Sequence, residues 1–572
     1  MSYTVITFAP VQGFIENSRK LRDLYGSSFI LSYLAKVLCE DAQRYFEYEK
    51  GKSPQENDPV ISPAVINVTQ GTPNQIIIRG EYPEAEAQRI FNDAWRTIVS
   101  SCQEAIETKD ENKTWNYNWS RVWNAWGNYS WELFYFCGGE TITEARQKLN
   151  EIKHSRSWVG INWIGESSTL SGIDEIAWPG MTDQFNPKKD SISEVNQRIE
   201  TFYQHLSDKF TEAIISPKEQ LSIPELVKRL ITLDDVAEKL NIAENEYPSI
   251  QIPRSFQDIS RQNENSEDNR WTGWFQGDGD KIGDYLKSLN TSNEPKEEEE
   301  NLNKFSSAMM KWGEYFKQEF KKEIQDTQLK ESKGRIIYAG GDDFLGVLYR
   351  QQSKITAQEC LEWFYKFPDI WKQHKQKITV SVGFVWAAPN VPQRDVLQHC
   401  REAEQSAKKS GRDRIALRIL FNSGNHLEWN CPWGLLKDLL THYRDRNQRK
   451  GEQNWTHLYN DVAVLESRHA FTREQTKVAK ALFEAYFPEK FWEDIVGDDN
   501  YEKAFNHPQP FHTGILGVRE NYTNKNGELE LENVRKDINN WVINLGKVGF
   551  HLFTFSDKKS ESKPENQPEK TL

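Results

Sequence analysis

The stretch GRIIYAGGDDFLGVLYR, residues 334–350, decides the fold of the region around it. Two apolar segments, GRIIYAG and FLGVLYR, flank a short turn of two glycines and two aspartates. Apolar segments of this length on either side of a glycine turn are typical of a β-hairpin. Adjacent glycines tolerate positive φ angles and let other groups approach the backbone closely. The pattern predicts a hairpin with Gly340, Gly341, Asp342 and Asp343 at its tip.

The sequence on both sides of the hairpin, from 271 to 421, has a readable order of elements. WTGWFQGD predicts a strand that ends in the acidic turn DGD at 278–280, and apolar residues at helical spacing over 302–320 predict a long helix. A helix near 356–370, the strand KITVSVGFVWA, the helix RDVLQHCREAEQSAKK and the strand RIALRIL complete the region. The order β-α-α-β-β-α-β with one late strand predicts a ferredoxin-like palm. Both acidic turns would then lie at one edge of its sheet.

Several carboxylates in so small a volume point to metal-dependent chemistry. Like charges that close raise each other's pKa or demand a cation, and hard oxygen ligands suit Mg²⁺ or Mn²⁺. We therefore expect Asp278, Asp342 and Asp343 to be the catalytic residues and to hold two Mg²⁺ (or Mn²⁺) ions for nucleotidyl transfer. Asp280 is a weaker candidate ligand. Either acidic turn alone is more often an ordinary turn, but their placement on neighbouring strands favours a metal site.

The residues around this edge are candidates for binding the nucleotide. Lys408 ends a predicted helix and could reach a triphosphate as a point charge, although an ordinary solvated lysine explains it equally well. Ser381 in the strand SVGF could contact the nucleotide, although a serine in a strand is more often packed. Gly279, Gly340 and Gly341 would admit the nucleotide to the backbone. No residue type at this edge distinguishes ATP from GTP.

The first 150 residues repeat this order weakly. TVITFAP predicts a strand, helices follow across 12–46, and AVINVT with QIIIRG predicts a hairpin around the turn at 71–74. A helix with one apolar face over 90–102 and the strand WELFYFCG follow. Because the turn GTPN has no carboxylate, it cannot hold a divalent cation. We expect a first palm that is catalytically silent.

These patterns predict an α+β protein with two ferredoxin-like palms of the nucleotide-cyclase and polymerase type, helical inserts and a helical C-terminal domain. A chain of 572 residues exceeds one hydrophobic core, which agrees with several domains. The predicted division is a silent first palm (1–160), a helical linker domain (161–270), a second palm with the GGDD turn (271–423), a helical C-terminal domain (424–555) and a disordered tail (556–572).

Composition restricts the possible partners and compartments. The net charge of −13 argues against a surface that binds nucleic acid by itself, so nucleic-acid contacts would be local or made by partner subunits. The basic cluster of Arg19, Lys20 and Arg22 is interpreted as a solvated face and not as an RNA contact. Six scattered cysteines without a C-x₂-C pair fit the reducing cytoplasm. No apolar run is long enough to span a membrane.

Other chemistries lack their residues. No histidine is followed by aspartate, and neither a G-x-x-x-x-G-K-[ST] loop nor a G-x-S-x-G elbow is present in the sequence. The sequence therefore offers no metal phosphohydrolase pair, no P-loop and no hydrolase nucleophile.

Several segments, taken together, resemble the large palm-containing subunit of type III CRISPR effector complexes, closest to the Cmr (type III-B) form. DGDKIG, YAGGDD and the stretch SVGF…AEQSAKKSGRDRIAL are similar to the second palm of that family in order. PVQGFIENSRKLRDLYGSSFILSYL (10–34) resembles its opening palm segment, and YPSI (247–250) resembles the approach to its second palm. The second-palm motifs are also similar to GGDEF-type cyclases, which lack the first-palm signature.

The resemblance implies an activity and a set of partners. The second palm of this family converts ATP to cyclic oligoadenylate when the complex captures a target RNA complementary to its guide crRNA. The implied partners are other Cmr-type subunits, guide crRNA and target RNA, the RNAs being held largely by the complex.

The sequence departs from many relatives at two places. Their N-terminal His-Asp nuclease domain has no counterpart, because the first palm begins near residue 3 and the first histidine is His154, so no nuclease activity of that type is expected. The stretch GESSTLSGIDEIAWPG (165–180) carries serines where relatives have zinc-binding cysteines. We expect no zinc there, with packing through Trp163 and Trp178 instead.

Two other functions remain open from the sequence. A stand-alone GGDEF-like cyclic dinucleotide cyclase would act as a homodimer on GTP without RNA, although the silent first palm and the missing glutamate after GGD argue against it. A catalytically inactive scaffold is the other alternative, although a scaffold gains nothing from clustered carboxylates.

Overall fold

The computed structural model describes residues 2–50, 58–68, 70–108, 116–155, 161–182, 191–212, 214–240, 270–290, 294–323, 325–326, 331–350, 353–445, 454–507 and 513–553. The YPSI segment, the predicted tail from 556 onward and most of the polar stretch before residue 270 lie outside the described residues, so the predictions made for them stay predictions.

The N-terminal palm is built on a four-stranded sheet with the order β2-β3-β1-β4, in which β1 runs antiparallel to both β3 and β4. This is the strand order of a ferredoxin-like fold, with the first strand in the interior of the sheet. Its elements are β1 (Tyr3–Ala9), α1 (Gln12–Glu16), α2 (Leu21–Lys50), β2 (Val60–Ser62), β3 (Ile76–Arg79), α3 (Glu84–Glu107), α4 (Tyr117–Tyr129), β4 (Glu132–Gly138) and α5 (Ile142–His154).

The predicted first-palm hairpin is wrong in one strand. AVINVT is not a strand over its described residues 64–68, and β3 pairs instead with the short β2 that precedes it. Pro63 follows β2 directly and has no N–H to continue a ladder of hydrogen bonds. The chain leaves the sheet there and runs as a loop toward the second palm, carrying Gly71 with a φ of +106°.

The linker region packs on the first palm. It contains α6 (Ile192–Phe210), α7 (Ile223–Leu230) and α8 (Asp234–Lys239), whose buried side chains share one hydrophobic core with α2 and α3. In the segment 165–180, Trp178 is buried, and the guanidinium carbon of Arg198 lies 4.9 Å from the centroid of its ring. Trp163, just before this segment, is only half-buried. Packing at this segment therefore depends on Trp178 more than on Trp163.

The second palm contains a six-stranded sheet with the order β12-β11-β10-β5-β9-β8. Its four strands β10, β5, β9 and β8 repeat the order of the first sheet, so the chain holds two palms and the predicted fold class is confirmed. The elements are β5 (Thr272–Gly279), α9 (Ile282–Leu289), α10 (Pro295–Glu323), β6 (Gln325–Asp326), β7 (Glu331–Ser332), β8 (Gly334–Gly340), β9 (Asp343–Leu348), α11 (Ala357–Phe364), α12 (Phe367–Trp371), β10 (Val380–Ala387), α13 (Gln393–Lys409), β11 (Arg414–Leu420) and β12 (His426–Pro432).

Both faces of this sheet are covered. The apolar face of α10 packs on one side of the sheet, where Trp312 and Phe316 stack with ring centroids 4.9 Å apart and contact Phe344 of β9. The other side is covered by α13, whose buried Val396 and Cys400 share a core with Trp274 of β5. A sheet covered on both faces holds its strand ends in fixed positions, which is what a site at the strand ends requires.

The C-terminal region begins with a strand and continues as helices. The strand β12 was assigned from sequence to the helical C-terminal domain, but it pairs along its length with β11 and extends the second palm's sheet. The helices are α14 (Trp433–Thr441), α15 (Thr456–Ser467), α16 (Lys477–Tyr486), α17 (Glu489–Ile495) and α18 (Leu531–Phe553). Their buried residues join the core beneath the second palm. Within the described part of the chain, no helix is long and apolar enough to cross a membrane.

Candidate functional site

The GGDD turn is the tight end of the β8–β9 hairpin. Gly340 pairs with Asp343 across the hairpin, and Gly341 in the turn has a φ of +87°, a conformation that favours glycine. The backbone N–H of Gly279, at the end of β5, donates to the carbonyl oxygen of Asp342 at 3.2 Å. A Cβ on Gly279 would come within 3.1 Å of the Cβ of Asp342, so the glycine allows the two acidic turns to approach.

Three carboxyl groups meet where these turns meet. Burial and the neighbouring Asp278 carboxylate raise the pKa of Asp342 to about 7. Burial, followed by Asp278 and Asp342, raises the pKa of Asp343 well above its usual range, and the Tyr338 hydroxyl donates to the Asp343 carboxylate at 3.2 Å. Such elevation is the expected response of carboxylates clustered at short range. The structure thus brings together the three predicted catalytic residues.

Lys408 lies in this cluster. Its ammonium forms ion pairs with Asp278 and, at 2.6 Å, with Glu404 one helical turn earlier on α13. These partners raise the pKa of Lys408 although burial opposes the charged form. Glu404, whose side chain is only 7% exposed, was missed from the sequence, although its position four residues before Lys408 on a predicted helix was a usable signal. Lys408 is therefore not a solvated lysine but a member of the carboxylate cluster.

Asp280 has a different environment from the other aspartates. Its carboxylate accepts hydrogen bonds from Thr379 Oγ1 at 2.8 Å, Ser381 Oγ at 2.7 Å and the backbone N–H of Asp413 at 3.0 Å. Ser381 is fully buried, and its hydroxyl is used in this contact. Asp280 and Ser381 therefore tie the end of β5 to β10 and to the turn before β11.

The first palm contributes to the same edge. Burial lowers the pKa of Arg146 of α5, although the nearby charges of Asp342 and Glu298 oppose that shift. It borders a cleft of about 360 Å³ between α5, α9 and α10. Polar side chains that line this cleft are Thr143, Arg146, Gln147, Asn150, Lys287, Asn290, Glu298 and Asn301. No sequence signal pointed to Arg146, because its partners are more than 150 residues away.

The carboxylate cluster is a candidate site for a divalent cation. Among the described residues, no three carboxylate, histidine or cysteine side chains stand in an arrangement that would hold a metal as they are. Instead, the Lys408 ammonium contacts Asp278 and acts as the local cation. Oxygen-only side chains with raised pKa values, held together by a lysine, fit the chemistry of a Mg²⁺ site.

Comparison with known proteins agrees with this architecture. The family model of the second palm domain of Cas10/Cmr2 matches residues 272–416, and that of the N-terminal domain of the CRISPR-associated protein Cmr2 matches residues 3–124. No curated protein matched the chain.

Solved structures resemble the chain in fold. A type III-B Cmr-beta structure in the apo state is 13% identical in sequence, with a TM-score of 0.52. The match covers 95% of this chain and 82% of the Cmr-beta chain. A Csm1–Csm4 cassette in complex with cA4 is 12% identical, with a TM-score of 0.46. The match covers 96% of this chain and 70% of the cassette chain. Csm1 of T. onnurineus is 13% identical, with a TM-score of 0.42. The match covers 95% of this chain and 69% of Csm1.

The two sheets and the acidic edge define a palm-domain protein with a nucleotidyltransferase-like fold. Within this chain, the second palm therefore matches a Cas10/Cmr2 second palm domain, and the first palm matches a Cmr2 N-terminal domain.

Proposed function

We propose that the second palm synthesises cyclic oligoadenylate from ATP by nucleotidyl transfer, as part of an RNA-guided complex. The observation that carries the proposal is the convergence of Asp278, Asp342 and Asp343 at the hairpin tip, where burial and mutual repulsion raise the pKa values of Asp342 and Asp343. Side chains held at that cost of charge repulsion are typical of functional sites.

The three carboxylates are the proposed ligands of two Mg²⁺ ions. When bound, such ions activate an attacking 3′-hydroxyl and stabilise the leaving pyrophosphate oxygen. Tyr338 holds the Asp343 carboxylate by its hydroxyl. Asp280, with three donors on its carboxylate, is proposed to hold the β5 turn in place more than to bind metal. The same geometry makes Ser381 a support for that turn.

The nucleotide is proposed to bind between the palms. Lys408 supplies a cation beside the carboxylates for a phosphate, whereas the glycines of the two acidic turns, Gly279 and Gly341, are buried and serve the close packing of the turns. The cleft that Arg146 and Lys287 line has cationic and amide groups suited to further phosphate and ribose contacts. None of these groups selects adenine over guanine.

The proposed partners are other Cmr-type subunits, guide crRNA and target RNA. The similar solved structures are a Cmr-beta assembly and Csm1–Csm4 cassettes, one of them with cA4. A net charge of −13 agrees with a subunit whose partners hold most of the RNA.

Both alternatives meet obstacles in the structure. The first palm carries no carboxylate in its turn at 71–74, and that turn packs against Gly340 of the second palm. A GGDEF-like homodimer would need to place a second copy of the chain at an edge that the first palm already covers. A scaffold would retain the mutual repulsion of three carboxylates without any use for it.

The test uses the full chain assembled with its partner subunits and guide RNA. ATP, Mg²⁺ and complementary target RNA are supplied, and products are identified by mass, with Asp342→Ala/Asp343→Ala and Asp369→Asn as variants. Asp369 is an exposed carboxylate on α12 and serves as the charge control. We expect cyclic adenylates and pyrophosphate from wild type and Asp369→Asn only when the target RNA is complementary. Equal inactivity of wild type and the double variant, with RNA still bound, would establish the scaffold.

A further inference from the structure

The turn between α13 and β11, residues 410–413, has an uncommon backbone. Gly411 has a φ of +123°, and the two residues after it, Arg412 and Asp413, have φ values of +64° and +51°. Two consecutive non-glycine residues in the left-handed region are unfavourable unless surrounding contacts hold them there.

The holding contacts come from the C-terminal domain. Arg414, which is fully buried, donates from its guanidinium to the carbonyl oxygens of Ile515 at 3.0 Å and Gly514 at 2.9 Å. Asn506 Nδ2 donates to the carbonyl oxygen of Gly411 at 2.9 Å. We call Asn506 together with residues 513–517 the clasp.

The clasp touches the turn so closely that only glycine fits. A Cβ added to Gly517 would overlap the carbonyl oxygen of Ser410 and the Cα of Gly411. Gly517 itself has a φ of +76°. The two backbones are therefore in direct contact, and movement of the clasp must move the turn.

The α13–β11 turn also contacts Asp280, a residue at the edge of the second palm. Thr513 of the clasp donates from Oγ1 to the Asp413 carboxylate at 2.7 Å. The backbone N–H of Asp413 donates to the Asp280 carboxylate at 3.0 Å. Asp280 is two residues from Asp278, and Lys408 lies two residues before the turn begins. A continuous chain of polar contacts thus runs from the C-terminal domain to Asp280, two residues along β5 and its turn from Asp278 of the carboxylate cluster.

Packing between the domains would explain apolar contacts, but it does not explain the hydrogen bonds between the clasp and the α13–β11 turn. The second palm and the C-terminal helices already share a large hydrophobic core. The clasp adds directional hydrogen bonds to a strained turn, and hydrogen bonds with charged groups fix orientation more tightly than apolar contacts do.

We propose that the clasp is a positioning element of the second-palm site, which sets the orientation of the β5 turn and of Lys408 through the α13–β11 turn. The inference rests on the proposed function, since it concerns the efficiency of that same site. Thr513 and Gly517 are positioning residues, because neither of them touches the carboxylate cluster. A C-terminal domain displaced by a partner subunit would change the activity of the site by this route.

The experiment compares Thr513→Val, Thr513→Ser and Thr523→Val in the fully assembled complex. Valine is close in shape to threonine but cannot donate to Asp413, whereas serine keeps the donor. Thr523 of the same domain donates only to a local backbone carbonyl, that of Glu520, and is the matched control. Initial rates over a range of ATP concentrations separate kcat from KM, and a thermal midpoint is measured for each variant.

We expect Thr513→Val to lower kcat on the order of tenfold with little change in KM or midpoint, as for the loss of one hydrogen bond to a charged group. Thr513→Ser should restore the rate, and Thr523→Val should equal wild type. Gly517→Ala, which displaces the turn by overlap, should lower kcat further. The inference is overturned if Thr513→Val keeps the wild-type kcat. It is also overturned if Thr513→Ser loses as much kcat as Thr513→Val does. An inactive wild-type complex overturns the proposed function instead, which keeps the two failures distinct.

Discussion

The carbonyl oxygen of Gln70, in the first palm, accepts a hydrogen bond from the backbone N–H of Ala339 at 2.8 Å, immediately before the GGDD turn of the second palm. Since β8 is the edge strand of its sheet, this contact occupies a donor that would otherwise be open. The neighbouring Gly71 packs against Gly340. The first palm therefore supports the hairpin that carries the carboxylates.

This contact explains Gly340 and leads to a first prediction. A Cβ at Gly340 would lie 2.8 Å from the backbone carbon and oxygen of Gly71, and backbone atoms cannot yield as a flexible side chain can. We expect Gly340→Ala to destabilise the chain by about 1–3 kcal/mol, the usual cost of overpacking, and to reduce product formation. Thermal midpoints and ATP turnover check this. Gly434→Ala, in α14 with open space around its Cα, is the control and should not lose stability.

The carboxylate cluster gives a second prediction. Asp343→Asn keeps the size of the side chain and the contact with Tyr338 but removes the charge that the proposed metal site requires. We expect adenylate synthesis to fall at least about 100-fold, as for loss of one electrostatic contact to a transition state, while target RNA still binds. Rates and RNA binding are measured in parallel with Asp369→Asn. Retained synthesis in Asp343→Asn would remove Asp343 from the catalytic set.

Arg146 gives a third prediction, about the cleft between the palms. If its guanidinium contacts a nucleotide phosphate, Arg146→Gln should raise KM for ATP by roughly 10- to 100-fold, the range for a lost charged hydrogen bond. The midpoint should hardly change, because burial already lowers the pKa of Arg146 and opposes its charge. Lys153→Gln, exposed at the end of the same helix, is the control. An unchanged KM would place the phosphates elsewhere.

The sequence predicted most where the signal was local. The GGDD turn, the DGD turn and the apolar period of α10 each lie within a few residues, so the second palm and its three clustered aspartates followed from them. The strand predicted at AVINVT failed because Pro63 ends the pairing and the backbone N–H of Ala64 donates instead to Ser306 Oγ of the other palm at 3.0 Å, a contact that no local pattern records. The assignment of Asp280 as a ligand could not foresee that Thr379, Ser381 and Asp413 would occupy its carboxylate.

The basic cluster near the N-terminus shows the same limit. The cluster was interpreted from sequence as a solvated face, and that interpretation is wrong for two of its residues. Arg22 is buried and donates to Thr232 Oγ1 at 2.6 Å, and Lys20 pairs with Glu219 at 3.1 Å. The partners lie about 200 residues away, on or near α7, so the cluster joins the first palm to the linker domain.

Beside that cluster, a buried ion triplet gives a fourth prediction. Arg229 is fully buried and pairs with Asp23 at 2.8 Å and with Glu219 at 2.5 Å. Arg229→Met would leave two carboxylates buried without their main cation. Breaking such a group costs about 3–5 kcal/mol near neutral pH. Arg89→Met is the control, since Arg89 is half exposed and its pair with Glu86 lies on the surface, so its midpoint should match wild type.

The same triplet predicts how the difference in thermal midpoint between wild type and Arg229→Met depends on pH. Against the effect of burial, Arg229 lowers the pKa values of Asp23 and Glu219 in the folded chain. A lowered folded pKa gives stability that is present above the unfolded values, about 3.9 for Asp and 4.3 for Glu, and lost as the pH falls through the folded values. In Arg229→Met, burial without the cation favours the protonated acids, so that variant gains relative stability as pH falls. The difference in midpoint between wild type and Arg229→Met should therefore shrink as the pH falls from 7 toward about 4, while the buried acids of the variant take up protons, and shrink further below about 4, where the wild type loses its own contribution. A difference that stays constant down to pH 3 would show that Arg229 stabilises the chain through packing and not through its charge.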